Sequence, residues 1–94
     1  MEFEWDPQKD RANQKKHGVS FEVAMRVFAD PLRKTALERV VDGEERWQTI
    51  GMVEGILLLL VAHTWEGDDP ELIRIISARK AEPSERRGYE HEQE

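Results

Sequence analysis

The chain has no cysteine, so disulfides and thiolate metal sites are excluded and a reducing compartment is the natural setting. Long apolar runs are missing too. The longest, Ile56 to Ala62, falls well short of the roughly 20 residues of a membrane helix. The polar start does not read as a signal peptide, so a cytoplasmic protein with no membrane contact is expected. Walker, dinucleotide-binding and catalytic-triad signatures are absent. His17, His63 and His91 lack the spacing of metal ligands, and neither a metal nor a cofactor is expected. Excess positive charge is lacking as well. Fourteen Lys and Arg face 20 Asp and Glu, a net charge of −6, which argues against a protein that coats nucleic acid without regard to sequence.

What remains is a chain of 94 residues, 38% hydrophobic and 36% charged, long enough for one small domain with one modest core. The charge is unevenly spread. Acids gather between Glu66 and Glu71 and in the segment Glu90 to Glu94, which is expected to be a disordered tail. Lys9, Arg11, Lys15 and Lys16 stand close together against only Asp10. A local basic site on an acidic protein is therefore compatible with the composition.

Phe3 to Trp5 reads as a short strand. Asp6-Pro7 is a helix start, with Asp as N-cap and Pro in the first turn, and Gly18 is placed to end that helix after His17. Ser20 caps a second helix, with Phe21, Ala24, Val27 and Phe28 on one face, which Asp30-Pro31 stops. Strands follow at about 34–41, 44–53, 56–65 and 72–80, joined at Asp42-Gly43, Glu54-Gly55 and the Gly67 to Pro70 loop. The third is apolar on both faces, so it belongs in the middle of the sheet. A short charged helix, Glu82 to Tyr89, ends the chain. The class is α+β: two N-terminal helices on a four-stranded antiparallel meander with an extra short strand.

The segment Ile73 to Arg79 would be an ordinary buried strand but for Arg74 and Arg79. A buried arginine needs an acid or a ligand, and its fork of donors suits phosphate. If Glu54-Gly55 and Asp42-Gly43 are two-residue turns and Glu66 pairs with Glu71, then Arg39, Arg46, His63 and Arg74 form a row across one sheet face. Trp47, Thr49, Val53, Ile56, Leu58, Leu60, Ala62, Ile73 and Ile75 then form the helix-facing side. A single bulge would break the row. Ser77 and Arg79 alternate away from Arg74 and need a bulge, twist or sheet edge to join it.

Structural readings stand beside these. Arg46 is adjacent to Glu44 and Glu45, and a surface ion pair accounts for it equally well; Arg79 and Arg86 lie near Glu82 and Glu85, and for Arg86 the ion pair is the favoured reading. Arg74 fits a salt bridge to a helix acid such as Glu22. His63 closes an apolar strand and suits a hydrogen-bonded core position. Tyr89 suits a lid over the core. Lys16-His17 suits a helix end, where cations oppose the dipole.

Taken in order, Trp5-Asp6-Pro7, Asn13, Lys16 to Glu22, Glu45-Arg46, His63-Thr64, Ile73 to Ala81, and Glu85-Arg86 with Tyr89 resemble the BrnT toxins, over nearly the whole span from Phe3 to Tyr89. The resemblance implies a RelE-like fold and a type II toxin acting as a metal-independent endoribonuclease that inhibits translation. It also implies a BrnA-like partner, an antitoxin with a ribbon-helix-helix domain. DNA would then be met only through the antitoxin, in a toxin–antitoxin hetero-oligomer. One departure is Trp65, followed by acids, where many relatives carry a basic or polar residue after His63-Thr64. On this reading Arg46, Arg74 and Arg79 supply charge and His63 exchanges a proton, with Tyr89 assisting. Lys16, His17, Arg39, Ser77 and Arg86 would contact the substrate. The alternative is a non-catalytic module whose basic face docks an acidic partner or helps its antitoxin bind DNA.

Overall fold

The computed structural model describes residues 1–66 and 69–91. Asp6 caps the first helix as expected. Its side chain accepts from Gln8 N at 2.8 Å, and α1 (Pro7–His17) ends at Gly18, whose φ of 71° is open to glycine without strain. Ser20 Oγ accepts from Val23 N and starts α2 (Phe21–Ala24). The expected longer helix is split, because from Met25 to Ala29 the chain tightens into a 3₁₀ helix. The strands are β1 (Glu2–Glu4), β2 (Lys34–Val41), β3 (Glu44–Val53), β4 (Leu57–Glu66) and β5 (Asp69–Lys80), and α3 (Pro83–His91) follows. Glu90 and His91 therefore belong to a helix rather than to a tail. Of the expected third turn and acidic tail, residues 67–68 and 92–94 lie outside the described residues.

The sheet order is β1-β5-β4-β3-β2, with β4 in the middle as its apolar sequence demands. The meander β2 to β5 is antiparallel, while β1 adds parallel to β5 over only Leu72 to Arg74. Beyond β1 the edge of β5 is met by a side chain instead. The Asn13 amide donates to Ala78 O at 2.8 Å and to Val19 O at 2.8 Å, and its Oδ1 accepts from Ala78 N at 3.1 Å. One buried Asn thus stands in for a strand and fastens α1 to the sheet.

Phe21, Ala24, Val27 and Phe28 pack with Val53, Leu59, Val61, Ile73, Ile75 and Ala78 in a single core. Burying one such large side chain is worth about 1.5–3 kcal/mol. Gly51 admits the closest contact, since a Cβ there would lie 2.7 Å from Val27 Cγ1 and 2.9 Å from Val27 O.

Register is where the expectation fails. Glu54 and Gly55 have φ of 53° and 71°, and Ile56 N donates to Val53 O at 3.1 Å, but Val53 pairs with Leu57 rather than Ile56. Ile56 stays outside the ladder, 82% exposed. This one residue inverts β4. Leu57, Leu59, Val61, His63 and Trp65 face the helices, where Leu58, Leu60 and Ala62 were expected. A strand apolar on both sides carries no alternation with which to resist the slip. At the other hairpin Glu66 pairs with Asp69, not Glu71, and Thr64 pairs with Arg74.

Candidate functional site

Two bulges shape the side of the sheet away from the helices. Ala62 pairs with Ser77 and His63 with Ile75, which leaves Ile76 as an extra residue in β5. That extra residue puts Arg74, Ser77 and Arg79 on the same face, which simple alternation forbids. In β2, Glu38 is the extra residue between the pairs Leu37–Trp47 and Arg39–Arg46, so the expected Arg39–Arg46 pairing holds. Since Trp47 opposes His63, the neighbouring Arg46 and Thr64 share the opposite face with Arg74. The arginine row thus exists, with Thr64 in the place assigned to His63.

Along this face, against the end of α1, lies a cavity of about 330 Å³. Lys16, His17, Arg39, Arg46, Ser77 and Arg79 line it, together with Glu38, Gln48, Leu60, Ala62, Ile76 and Ala78. A second hollow of about 290 Å³ shares Lys16, His17, Ile76 and Ser77 and adds Lys9. Lys16 and His17 sit in the last turn of α1, where cations offset the negative end of the helix dipole. Among the described residues neither has an ion-pair partner.

The arginines do have partners. Arg79 donates from Nη1 and Nη2 to the two Glu85 oxygens at 2.8 and 2.9 Å, and from Nη1 to Lys80 O at 3.3 Å. The hydrogen bond to Glu85 raises the Arg79 pKa, against burial, with help from the Glu85, Glu82 and Glu38 charges. The same bond holds the Glu85 carboxyl below its usual range, again against burial. Arg46 Nε lies 3.3 Å from Glu44 Oε1, and Arg39 Nε lies 3.4 Å from Glu38 Oε1.

Four expected residues lie elsewhere. Arg74 is on the right face but outside the cavity, 3.4 Å from Glu4 Oε1 rather than paired with Glu22. Arg86 is exposed and pairs with Glu90 at 3.3 Å. Tyr89 is buried, and its hydroxyl donates to Asp30 Oδ2 at 2.6 Å. Burial pushes the Asp30 carboxyl up. Hydrogen bonds from Tyr89, Met52 N and Leu32 N, with the charge of Arg33, outweigh this and leave it below its ordinary value.

His63 departs furthest from expectation. It is fully buried on the helix face, its Nε2 is 2.7 Å from Thr49 Oγ1, and Thr49 continues to Thr35 Oγ1 at 2.7 Å. Phe28 and Trp65 meet its ring edge-on at 5.1 and 5.0 Å. Burial lowers its pKa from 6.5 to about 4, partly countered by the adjacent Thr64 backbone, so the ring is neutral near pH 7.

Glu38 and Gln48 are cavity residues that reading the sequence missed. Gln48 follows Arg46 by two and was recoverable from strand alternation. Glu38 reaches the site only through a bulge that leaves no mark in the sequence. Among the described residues no group of three His, Asp or Glu is arranged to hold a metal ion, and no helix is long and apolar enough to cross a membrane.

The family described as ribonuclease toxin, BrnT, of type II toxin-antitoxin system matches residues 5–85. Among solved structures, the Brucella abortus ribonuclease toxin BrnT superposes with a TM-score of 0.63 at 23% identity, covering 87% of this chain and 97% of that one. No curated protein sequence matches.

Proposed function

Because the chain belongs to the BrnT family of ribonuclease toxins of type II toxin–antitoxin systems, we propose that it cuts RNA in the cavity beneath Lys16, His17, Arg46 and Arg79. The carrying observation is the convergence of those four side chains from α1, β3 and β5 on one hollow. RNA supplies its own nucleophile, the 2′-hydroxyl beside the scissile phosphate. The protein must then provide a base, an acid for the departing 5′-oxygen, and positive charge for the phosphorane. Arg46, Arg79 and Lys16 supply the charge, and Arg39 and Ser77 hold the flanking backbone. His17, whose imidazole lines the cavity, moves the proton. His63, buried on the far side of the sheet, is withdrawn from that role. Tyr89 is withdrawn as well, because its proton is committed to Asp30.

The reaction so described needs no metal, and on the family resemblance we take the enzyme to be RelE-like and to inhibit translation. A type II toxin has a protein antitoxin. We take this one to be BrnA-like, with a ribbon-helix-helix domain that meets DNA on behalf of a hetero-oligomer.

The test is RNA cleavage by the purified protein in EDTA, with analysis of the product ends. Cleavage to 2′,3′-cyclic phosphates is expected, suppressed by the antitoxin. Arg46→Ala and His17→Ala should each lower kcat/KM about 100-fold while antitoxin binding persists. A fully active double variant overturns the assignment. One observation favours the rival reading of a non-catalytic module: each arginine in the cavity already faces a carboxylate. Antitoxin binding by a chain that cuts no RNA would support it.

A further inference from the structure

On the helix side of the sheet, β3 and β4 run past the helices and leave Trp47 and Trp65 half-buried, their ring centroids 6.3 Å apart and their planes inclined at 58°. With Gly43, Glu44 and Glu45 they line a notch of about 370 Å³. No cation lines it. Glu44 leans to the other face toward Arg46, 3.3 Å from its Nε. Glu45 shares the face of Trp47 by alternation, is exposed, and has no ion-pair partner among the described residues. Trp65 is steadied from beneath by His63, which leans on Phe28.

Indole faces beside an unpaired carboxylate make a receptor for a cation, above all a guanidinium, which stacks on aromatic rings while bonding to a carboxylate. We propose that this notch receives an arginine or lysine side chain of the protein antitoxin. A nucleobase would also stack on indole, but its phosphates would have to pass Glu45, which no cation among the described residues balances. The cations for RNA lie on the opposite face of the sheet. The net charge of −6 favours approach by a basic segment. The inference rests on the chain being a type II toxin and not on how it cuts RNA.

Association of the full chain with its antitoxin, measured alongside RNA cleavage by the free chain, provides the test. Trp47→Ala should weaken antitoxin binding about tenfold and Glu45→Gln about threefold. Glu45→Lys should weaken it further by repulsion, and RNA cleavage should be unchanged in all three. Binding by the wild type should also shift the tryptophan fluorescence. Glu45 is exposed, so its variants decide the matter even if Trp47→Ala folds poorly. Antitoxin affinity unmoved by both Glu45 variants overturns the proposal. So does loss of RNA affinity in Trp47→Ala with antitoxin binding intact, which would make the notch a base platform. A wild-type chain that cuts no RNA would instead count against the cleavage mechanism and leave the binding arm readable.

Discussion

The two faces of one sheet carry opposite chemistry. The open face gathers Arg39, Arg46, Ser77 and Arg79 with Lys16 and His17 around a cavity, and most of its polar groups keep some contact with water. The helix face carries Phe28, His63, Trp65 and Trp47 in a column of ring contacts, sealed from water at His63. Residues that look equally functional in the sequence, a histidine and an arginine on neighbouring strands, fall on opposite sides. The lesson is that a titratable side chain is made functional by its face. Charge left in a hollow is free to act on a ligand, whereas charge in a core is suppressed by desolvation.

The largest effect that separates the faces should be on stability. His63→Ala removes a buried ring and leaves Thr49 with one fewer partner, costing about 2–4 kcal/mol. Unfolding in urea checks this, and protein that remains folded should still cut RNA. If cleavage vanished while stability held, the histidine would return to the active site.

The same residue gives a pH test. Its folded pKa of about 4 lies below the 6.5 of the free side chain, so between these values the unfolded chain binds more protons. Stability is then full above pH 6.5 and declines as the pH falls toward 4, by roughly 2–3 kcal/mol. His63→Gln, which can still bond to Thr49 but does not titrate, should show a smaller decline over that window. An equal decline in both proteins would assign the acid sensitivity to other groups.

Smaller changes are expected at the C-terminal helix. Tyr89→Phe takes one of three donors from the buried Asp30 carboxylate and should cost about 1–2 kcal/mol without altering the chemical step. Thermal melts and kcat together distinguish this from a proton-donor role, in which kcat would drop and the melt would not. The smallest effect belongs to Arg86→Ala. Its exposed pair with Glu90 is worth under about 0.5 kcal/mol, and cleavage should change less than twofold. A larger loss of cleavage would extend the site onto α3.

Much of the fold was legible in the sequence because short-range chemistry states it directly. Asp6-Pro7, Gly18 and Ser20 mark helix ends through their own backbone preferences, and Asp42-Gly43 sets its hairpin. The uniform apolarity of β4 placed it at the sheet centre. Register was not legible where that same uniformity offered no preferred face, so Ile56 alone decided which way His63 points. The arginine row was foreseen because Thr64, the neighbour of His63, takes its place: Val53 and Arg74 each pair one residue later in β4 than expected, although Glu66 pairs two residues early, with Asp69. The bulge at Ile76, which unites Arg74, Ser77 and Arg79, arises from pairing between distant strands and has no local sign. The acid that answers Arg46 was visible as its neighbour Glu44, but Glu4 reaches Arg74 from β1, and Glu85 could be identified as the bidentate partner of Arg79 only once α3 was in place.

The most direct test of the division between the faces is a titration of the isotope-labelled chain with a short RNA carrying 2′-O-methyl groups, which binds without being cut. Backbone and side-chain resonances are followed by NMR. The account predicts that Lys16, His17, Arg46, Ser77 and Arg79 shift together with one affinity that weakens steeply with salt, while His63, Phe28 and Tyr89 stay in place. Shifts centred on His63 and Tyr89, with the cavity residues unmoved, would contradict it.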